Sequence, residues 1–142
     1  MWVHRAGVGA FVRYRDSPVG PYAEVLAATP KLHVPFMAVD SEASMHAGRR
    51  NWALPKEMAS FAGWSAEGDG WAVAARVASV GVRLPFAGAG LLRQAVRSPL
   101  WAYGVGRLVR VDVDVRGVEW LAPGRHLGMH VERATLTVGF PR

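Results

Sequence analysis

At 142 residues, with 51% apolar and 20% charged residues, the chain has the make-up of a single folded domain spanning 1–142 and not that of a disordered segment. The lack of cysteine excludes a disulfide framework, a thiolate metal site and a cysteine nucleophile, and no apolar run approaches the ~18 residues of a membrane span. The formal charge of +6 comes mostly from fifteen arginines spread along the chain, with no helix-turn-helix, zinc-finger or RNA-recognition pattern around them. That distribution is read as solubilising charge, with a small anion as the partner and neither nucleic acid nor membrane.

In chain order, "MWVHRAGVGAFVRYRD" carries arginines where a signal peptide needs an unbroken apolar stretch, so a cytoplasmic location is expected. Alternation predicts a strand over 9–15, a turn at 17–21 and a second strand over 22–29. A third is expected over 32–40, with Pro35 marking an edge or a bulge. Asp40 or Ser41 then caps a short helix, Glu42 sits in its first turn and Gly48 can end it. "GDG" at 68–70 predicts a hairpin, and extended chain continues through "VGVRLPF". Residues 91–97 are read as a possible short helix before Pro99. "RLVRVDVDVRGVEWL" and "GMHVERATLTVGFP" are the closing strands. The sum is a mainly β domain, about eight antiparallel strands curled into a barrel or cone with one or two short helices.

Most candidate sites have a simpler structural account. "GAG" (88–90) and "GVG" (104–106) lack the strand–helix context of a nucleotide loop and read as turns. His126 and His130 have ligand-like spacing but no third ligand, so no metal site is expected. The six tryptophans read as core or interface.

Lys56, in "GRRNWALPKEMASF", is different. The chain has only two lysines, so positions that need charge alone are written as arginine. Lysine differs from arginine in offering an amine that can lose its proton and attack a carbonyl. Its apolar neighbours Trp52, Ala53, Leu54 and Met58 could strip that amine of water. From composition and spacing alone, a solvated surface lysine and a nucleophilic one remain equally open.

The pieces "YRDSPVGPYAEVL" and "VPFMAVDSEASMHAGRRNWALPKEMASF", within residues 14–61, resemble the acetoacetate decarboxylase family. They share its order of a tyrosine–acidic step, an aspartate closing a strand, Gly48-Arg49 and then Pro55-Lys56. After residue 62 the likeness lies in strand pattern and in the ending "LAPGRHLGMHVERATLTVGFP". The resemblance implies Lys56 as a Schiff-base nucleophile, Glu24 as the active-site carboxylate and no cofactor. Arg49 then becomes a candidate to receive a substrate carboxylate, and Phe36, Met37, Trp52 and Leu54 become candidate pocket walls. Each also has a structural reading: Glu24 as a strand carboxylate paired with arginine, Arg49 as a helix anchor, the apolar four as plain core. Glu57 stands where the family's decarboxylases carry a second lysine, and their N-terminal strands are missing, as in a shortened member.

The implied activity is decarboxylation of a small β-keto acid or related oxo-acid through a Lys56 imine. One alternative is an aldolase-dehydratase acting on pyruvate-like substrates through the same imine. The other is a non-catalytic small-acid-binding or assembly subunit. Exposed strand edges favour a homo-oligomer.

Overall fold

The alternating segments fold as strands in the computed structural model, which describes residues 1–142. In order they are β1 (Trp2–His4), β2 (Gly7–Tyr14), β3 (Tyr22–Ala28), β4 (Phe36–Val39), then the helix α1 (Glu42–Trp52). There follow β5 (Lys56–Met58), β6 (Ser60–Ala62), β7 (Ser65–Gly68), β8 (Trp71–Arg93), β9 (Arg97–Arg116) and β10 (Gly124–Val138). All ten lie in one sheet, ordered β5-β4-β3-β2-β1-β10-β9-β8-β7-β6. Every neighbouring pair is antiparallel except β4 and β5, which run parallel because α1 forms the crossover between them.

The expected mainly β architecture is observed, but the sheet is not a closed barrel. Its hydrogen-bonded ladder stops at β5 on one side and β6 on the other. Yet β5 and β6 are consecutive, separated only by Ala59, whose N–H bonds to Val39 O at 2.9 Å. A sheet whose first and last strands adjoin in the chain must curl until its edges approach. The main core confirms the curl: Val25 and Ala38 from β3–β4 share one cluster with Trp71, Val73, Val109, Val111 and Val113 from β8–β9. Phe36 on β4 packs edge-on against Trp71 on β8, centroids 5.0 Å apart.

The glycine pairs at 88–90 and 104–106 are not turns but lie inside β8 and β9, paired with the neighbouring strand; four further local expectations need correction. The third strand begins at Phe36, not at residue 32, because Pro35 has no N–H to give the ladder. The backbone just before it is served by a side chain: Gln94 accepts from Val34 N (3.0 Å) and donates to Val34 O (2.9 Å). Residues 91–97 are not helical, which leaves α1 as the one helix. β8 runs to Arg93, turns, and returns as β9 with Leu91 opposite Pro99 and Leu92 opposite Ser98. The ladder and the burial of Leu92 and Ser98 override local helical preference. The stretch before "GDG" is itself a hairpin, β6–β7, turning at Gly63 (φ +58°), so the strands number ten rather than about eight.

The fourth correction concerns α1. Ser41 caps it, its hydroxyl accepting from Ser44 N at 3.1 Å, and Glu42 lies in the first turn. Gly48 does not end it. The helix continues to Trp52 and stops at Ala53, which takes a left-handed conformation (φ +53°, ψ +32°) while Leu54 N bonds to Gly48 O at 3.2 Å. A side chain costs roughly 1–2 kcal/mol in that conformation. Ala53→Gly is therefore expected to stabilise the fold by up to about 1 kcal/mol, read as a raised midpoint in urea with an unchanged slope.

Candidate active site

Strand alternation divides the first half of the sheet into two faces. Val25, Ala27 and Ala38 enter the main core inside the curl. The intervening residues face the other way, and register aligns them: Tyr14 opposite Tyr22, Leu26 opposite Met37, Met37 opposite Lys56. This second face is covered by α1 and holds a smaller cluster of Val34, Met37, Leu54 and Leu92, with Trp52 packed against it.

Lys56 starts on β5, at the edge of this face, and its side chain reaches across β4 to β3. Its Nζ lies 2.9 Å from Glu24 Oε2 and donates to Ser44 Oγ, also at 2.9 Å. The Tyr22 ring centroid is 5.1 Å from Nζ. Lys56 is 5% exposed, Glu24 2% and Ser44 2%, so the ion pair is almost wholly removed from water. The route of the lysine explains the helix above it. Ser44 and Gly48, one turn apart, are the buried residues of α1. A β-carbon on Gly48 would stand 2.6 Å from Lys56 Cδ and 2.7 Å from Cε. Glycine is there to make room for the lysine, not to stop the helix.

The carboxylate is held at both oxygens. Tyr14 OH donates to Glu24 Oε1 at 3.2 Å, and its ring stacks on Tyr22, centroids 4.6 Å apart. Burial first, and then the charge of Glu24, raise the Tyr14 phenol well above its ordinary value of 10.0. The group is thus Tyr14–Glu24–Lys56–Ser44, with Tyr22 as a wall. Ser44 and Tyr14 were not singled out from the sequence. Ser44 could have been reached only by noting that it and Gly48 are four apart, the spacing of one helical face.

The other candidates fall in several places. Arg49 is exposed, and its Nε donates to Lys56 O at 2.7 Å, fixing the lysine's backbone to the helix. Met37 and Leu54 belong to the apolar cluster on the lysine's own face. Trp52 packs beside that cluster and donates from Nε1 to Gly139 O at 2.9 Å. Phe36 lies on the opposite face, against Trp71 inside the curl, so it is no wall of the lysine site. Glu57 is partly exposed and alternates away from Lys56, as neighbouring residues of a strand must. Two surface concavities of about 440 Å³ lie elsewhere, one along β6–β9 and one beside Lys31, and neither includes Lys56, Glu24 or Ser44.

Among the histidines, His126 bonds from Nε2 to Ala122 O at 2.8 Å, with its ring 5.9 Å from that of His4. Burial, and then His126, push His4 below the usual histidine value. No group of three or more metal-ligating side chains forms. No helix is long and apolar enough to cross a membrane. Comparison with protein-family models, curated proteins and solved structures finds no match to the chain.

Two outcomes follow from the ion pair and its tyrosine. Removing one partner of a buried pair strands the other charge, so Glu24→Leu or Lys56→Met alone should cost about 3–5 kcal/mol, whereas the double variant should recover most of that loss in denaturant titrations. For Tyr14, the folded phenol keeps its proton at pH values where the unfolded one, titrating near 10, has lost it. Stability from this group is therefore complete below about pH 10 and falls as the pH rises above it. Ultraviolet titration should show one of the three tyrosines ionising only as the protein unfolds.

Proposed function

We propose that the chain is a Schiff-base lyase, working without a cofactor in the cytoplasm, that acts on a small oxo-acid through Lys56. The observation that carries this reading is the site of the amine. In a chain that writes nearly every cation as arginine, a lysine is buried with a carboxylate and a hydroxyl each 2.9 Å from Nζ. The likeness of residues 14–61 to the acetoacetate decarboxylase family supports the same residue in the same role.

The proposed chemistry starts from the ion pair. An ammonium cannot attack a carbonyl, but Glu24 Oε2 can take its proton across the existing hydrogen bond. A neutral amine beside a neutral acid is a far closer competitor to the ion pair in a dry site than in water. Nζ then adds to the ketone carbon, and the resulting alcohol leaves as water, with Glu24 returning the proton. The product is a protonated imine. In a β-keto acid the electrons of the bond to the carboxylate flow into that imine, releasing carbon dioxide and leaving an enamine. Protonation at carbon and hydrolysis return the ketone and the lysine. Tyr14 holds Glu24 in place through Oε1, and Ser44 orients Nζ. Arg49 uses Nε on the backbone, leaving its terminal nitrogens for a substrate carboxylate. The imine equally serves aldol condensation and dehydration of a pyruvate-like substrate; carbon dioxide release from β-keto acids, against aldehyde-dependent loss of pyruvate, distinguishes the two.

A second reading is favoured by the position of the concavities, both away from Nζ. In it the ion pair is purely architectural, pinning α1 to the sheet in a non-catalytic small-acid-binding or assembly subunit.

One experiment separates them. The protein is incubated with acetoacetate or pyruvate, reduced with borohydride and mapped by mass spectrometry. The exposed Lys31, the only other lysine, serves as an internal control for adventitious amine reaction. The expected result is an adduct on Lys56 and not on Lys31, abolished in Lys56→Arg. A chain unlabelled at Lys56 across a panel of oxo-acids assigns the pair to architecture.

A further inference from the structure

We propose that the chain assembles head to tail with further copies of itself, the basic, aromatic tip of one copy seating against the acidic, alanine-floored trough of the next. The inference is independent of the chemistry at Lys56 and rests on how charge is distributed along β8.

That strand runs from Trp71 to Arg93, about 70 Å of extended chain, with bulges between Val77 and Arg83 along its length. At its first end lies one of the 440 Å³ concavities, floored by Ala62, Ala72 and Ala74 and bordered by Glu67, Asp114 and Arg116. The turn after β7 adds Asp69, and the close approach of Gly117 to Gly70 O brings the loop bearing Glu119 to the same end. None of these four carboxylates forms an ion pair within the chain.

The far end is the reverse. Residues 70–111 contain no aspartate or glutamate at all. Glu132 answers Arg83 and Arg107, and Asp112 answers Arg76 and Arg125, but Arg93 and Arg97 at the β8–β9 turn have no partner. Lys31 joins Arg93 in lining the second concavity. Beside this cluster Trp101 is 44% and Phe140 82% exposed, the latter held near the start of β9 by the bond from Gly139 N to Pro99 O. Aromatic and arginine side chains together are the residues that anchor protein interfaces. A largely apolar hollow at the other end of the same strand, where the unpaired carboxylates of Glu67, Asp69, Asp114 and Glu119 outnumber the one arginine of its lining, Arg116, is their complement in both polarity and charge. Because the two surfaces differ, the contact is heterologous and builds a ring or a filament.

Sedimentation velocity over a concentration series, at low and at high salt, tests this with two charge-reversed proteins, Arg93→Glu/Arg97→Glu and Glu67→Arg/Asp114→Arg, each checked for folding by circular dichroism. The wild type is expected to associate with increasing concentration and to dissociate in high salt. Each reversed protein alone should remain monomeric, and an equimolar mixture of the two should associate again, since reversed tip then meets reversed trough. A wild type that stays monomeric throughout, a reversed protein that still associates, or a mixture that does not, overturns the proposal. So does a tip that binds a single-stranded oligonucleotide through Arg93 and Arg97 in a chain that never self-associates, which reassigns that surface to a polyanion.

Discussion

The burial of one lysine side chain between a helix and a sheet constrains the first half of this molecule. An ammonium taken out of water needs a countercharge and hydrogen-bond acceptors, or the fold loses several kcal/mol. Glu24 supplies the charge and Ser44 the acceptor, both at 2.9 Å, while Tyr14 satisfies the second oxygen of the carboxylate. The helix can lie over the lysine only because its inward residues are as small as Ser44 and Gly48. Arg49, on the next position, ties the same strand to the helix through the Lys56 carbonyl. Five residues from three strands and one helix thus form a single polar unit.

Such a unit would serve architecture and the chemistry proposed for Lys56 through the same contacts. As architecture it holds α1 in one orientation on the sheet, at a position where an apolar residue would permit sliding. As chemistry it places a proton donor and a proton acceptor in contact at the only buried lysine, with the acceptor's geometry set by Tyr14. The two roles make opposite demands. Architecture is served best by a permanently charged pair, catalysis by a pair that exchanges its proton when a carbonyl arrives. What decides between them is access to Nζ, where the Tyr22 ring forms one wall of the site.

The second half of the chain obeys a different constraint. β8, β9 and β10 extend beyond the neighbours that could cover them: β7 pairs with β8 only over Trp71–Ala74, and β1 with β10 only at Leu127 and Gly128. The resulting ribbon is stabilised on one side by two cross-strand ion-pair ladders, Arg76–Asp112–Arg125 and Arg83–Glu132–Arg107. Its end is fastened to the first half by Arg93 N on Leu32 O, by the Gln94 amide on Val34 and by Trp52 on Gly139. Those links carry Leu92 and Val138 into the cluster beneath α1, so the ribbon helps to enclose the lysine's side of the sheet.

Glu24 was reached through a family resemblance; the local chemistry of this sequence was sufficient for the strands with clean alternation, for a cap at Asp40 or Ser41, for the Asp69-Gly70 hairpin, and for marking Lys56 as unusual. Those features depend on period-two patterning, on turn residues and on the distinction between an amine and a guanidinium, all properties of a few adjacent residues. Where the chain was ambiguous, distant partners decided. Residues 91–97 became a strand turn because Leu92 and Ser98 are buried by residues far away in the chain. Gly48 became a space for the lysine instead of a helix stop, and Phe36 went to the opposite face from Lys56 because β4 alternates between two separate cores. Curling, the parallel β4–β5 pair and the meeting of Lys56 with Ser44 and Tyr14 are likewise tertiary. They arise from how two faces of one sheet are covered, and no window of neighbouring residues contains that information.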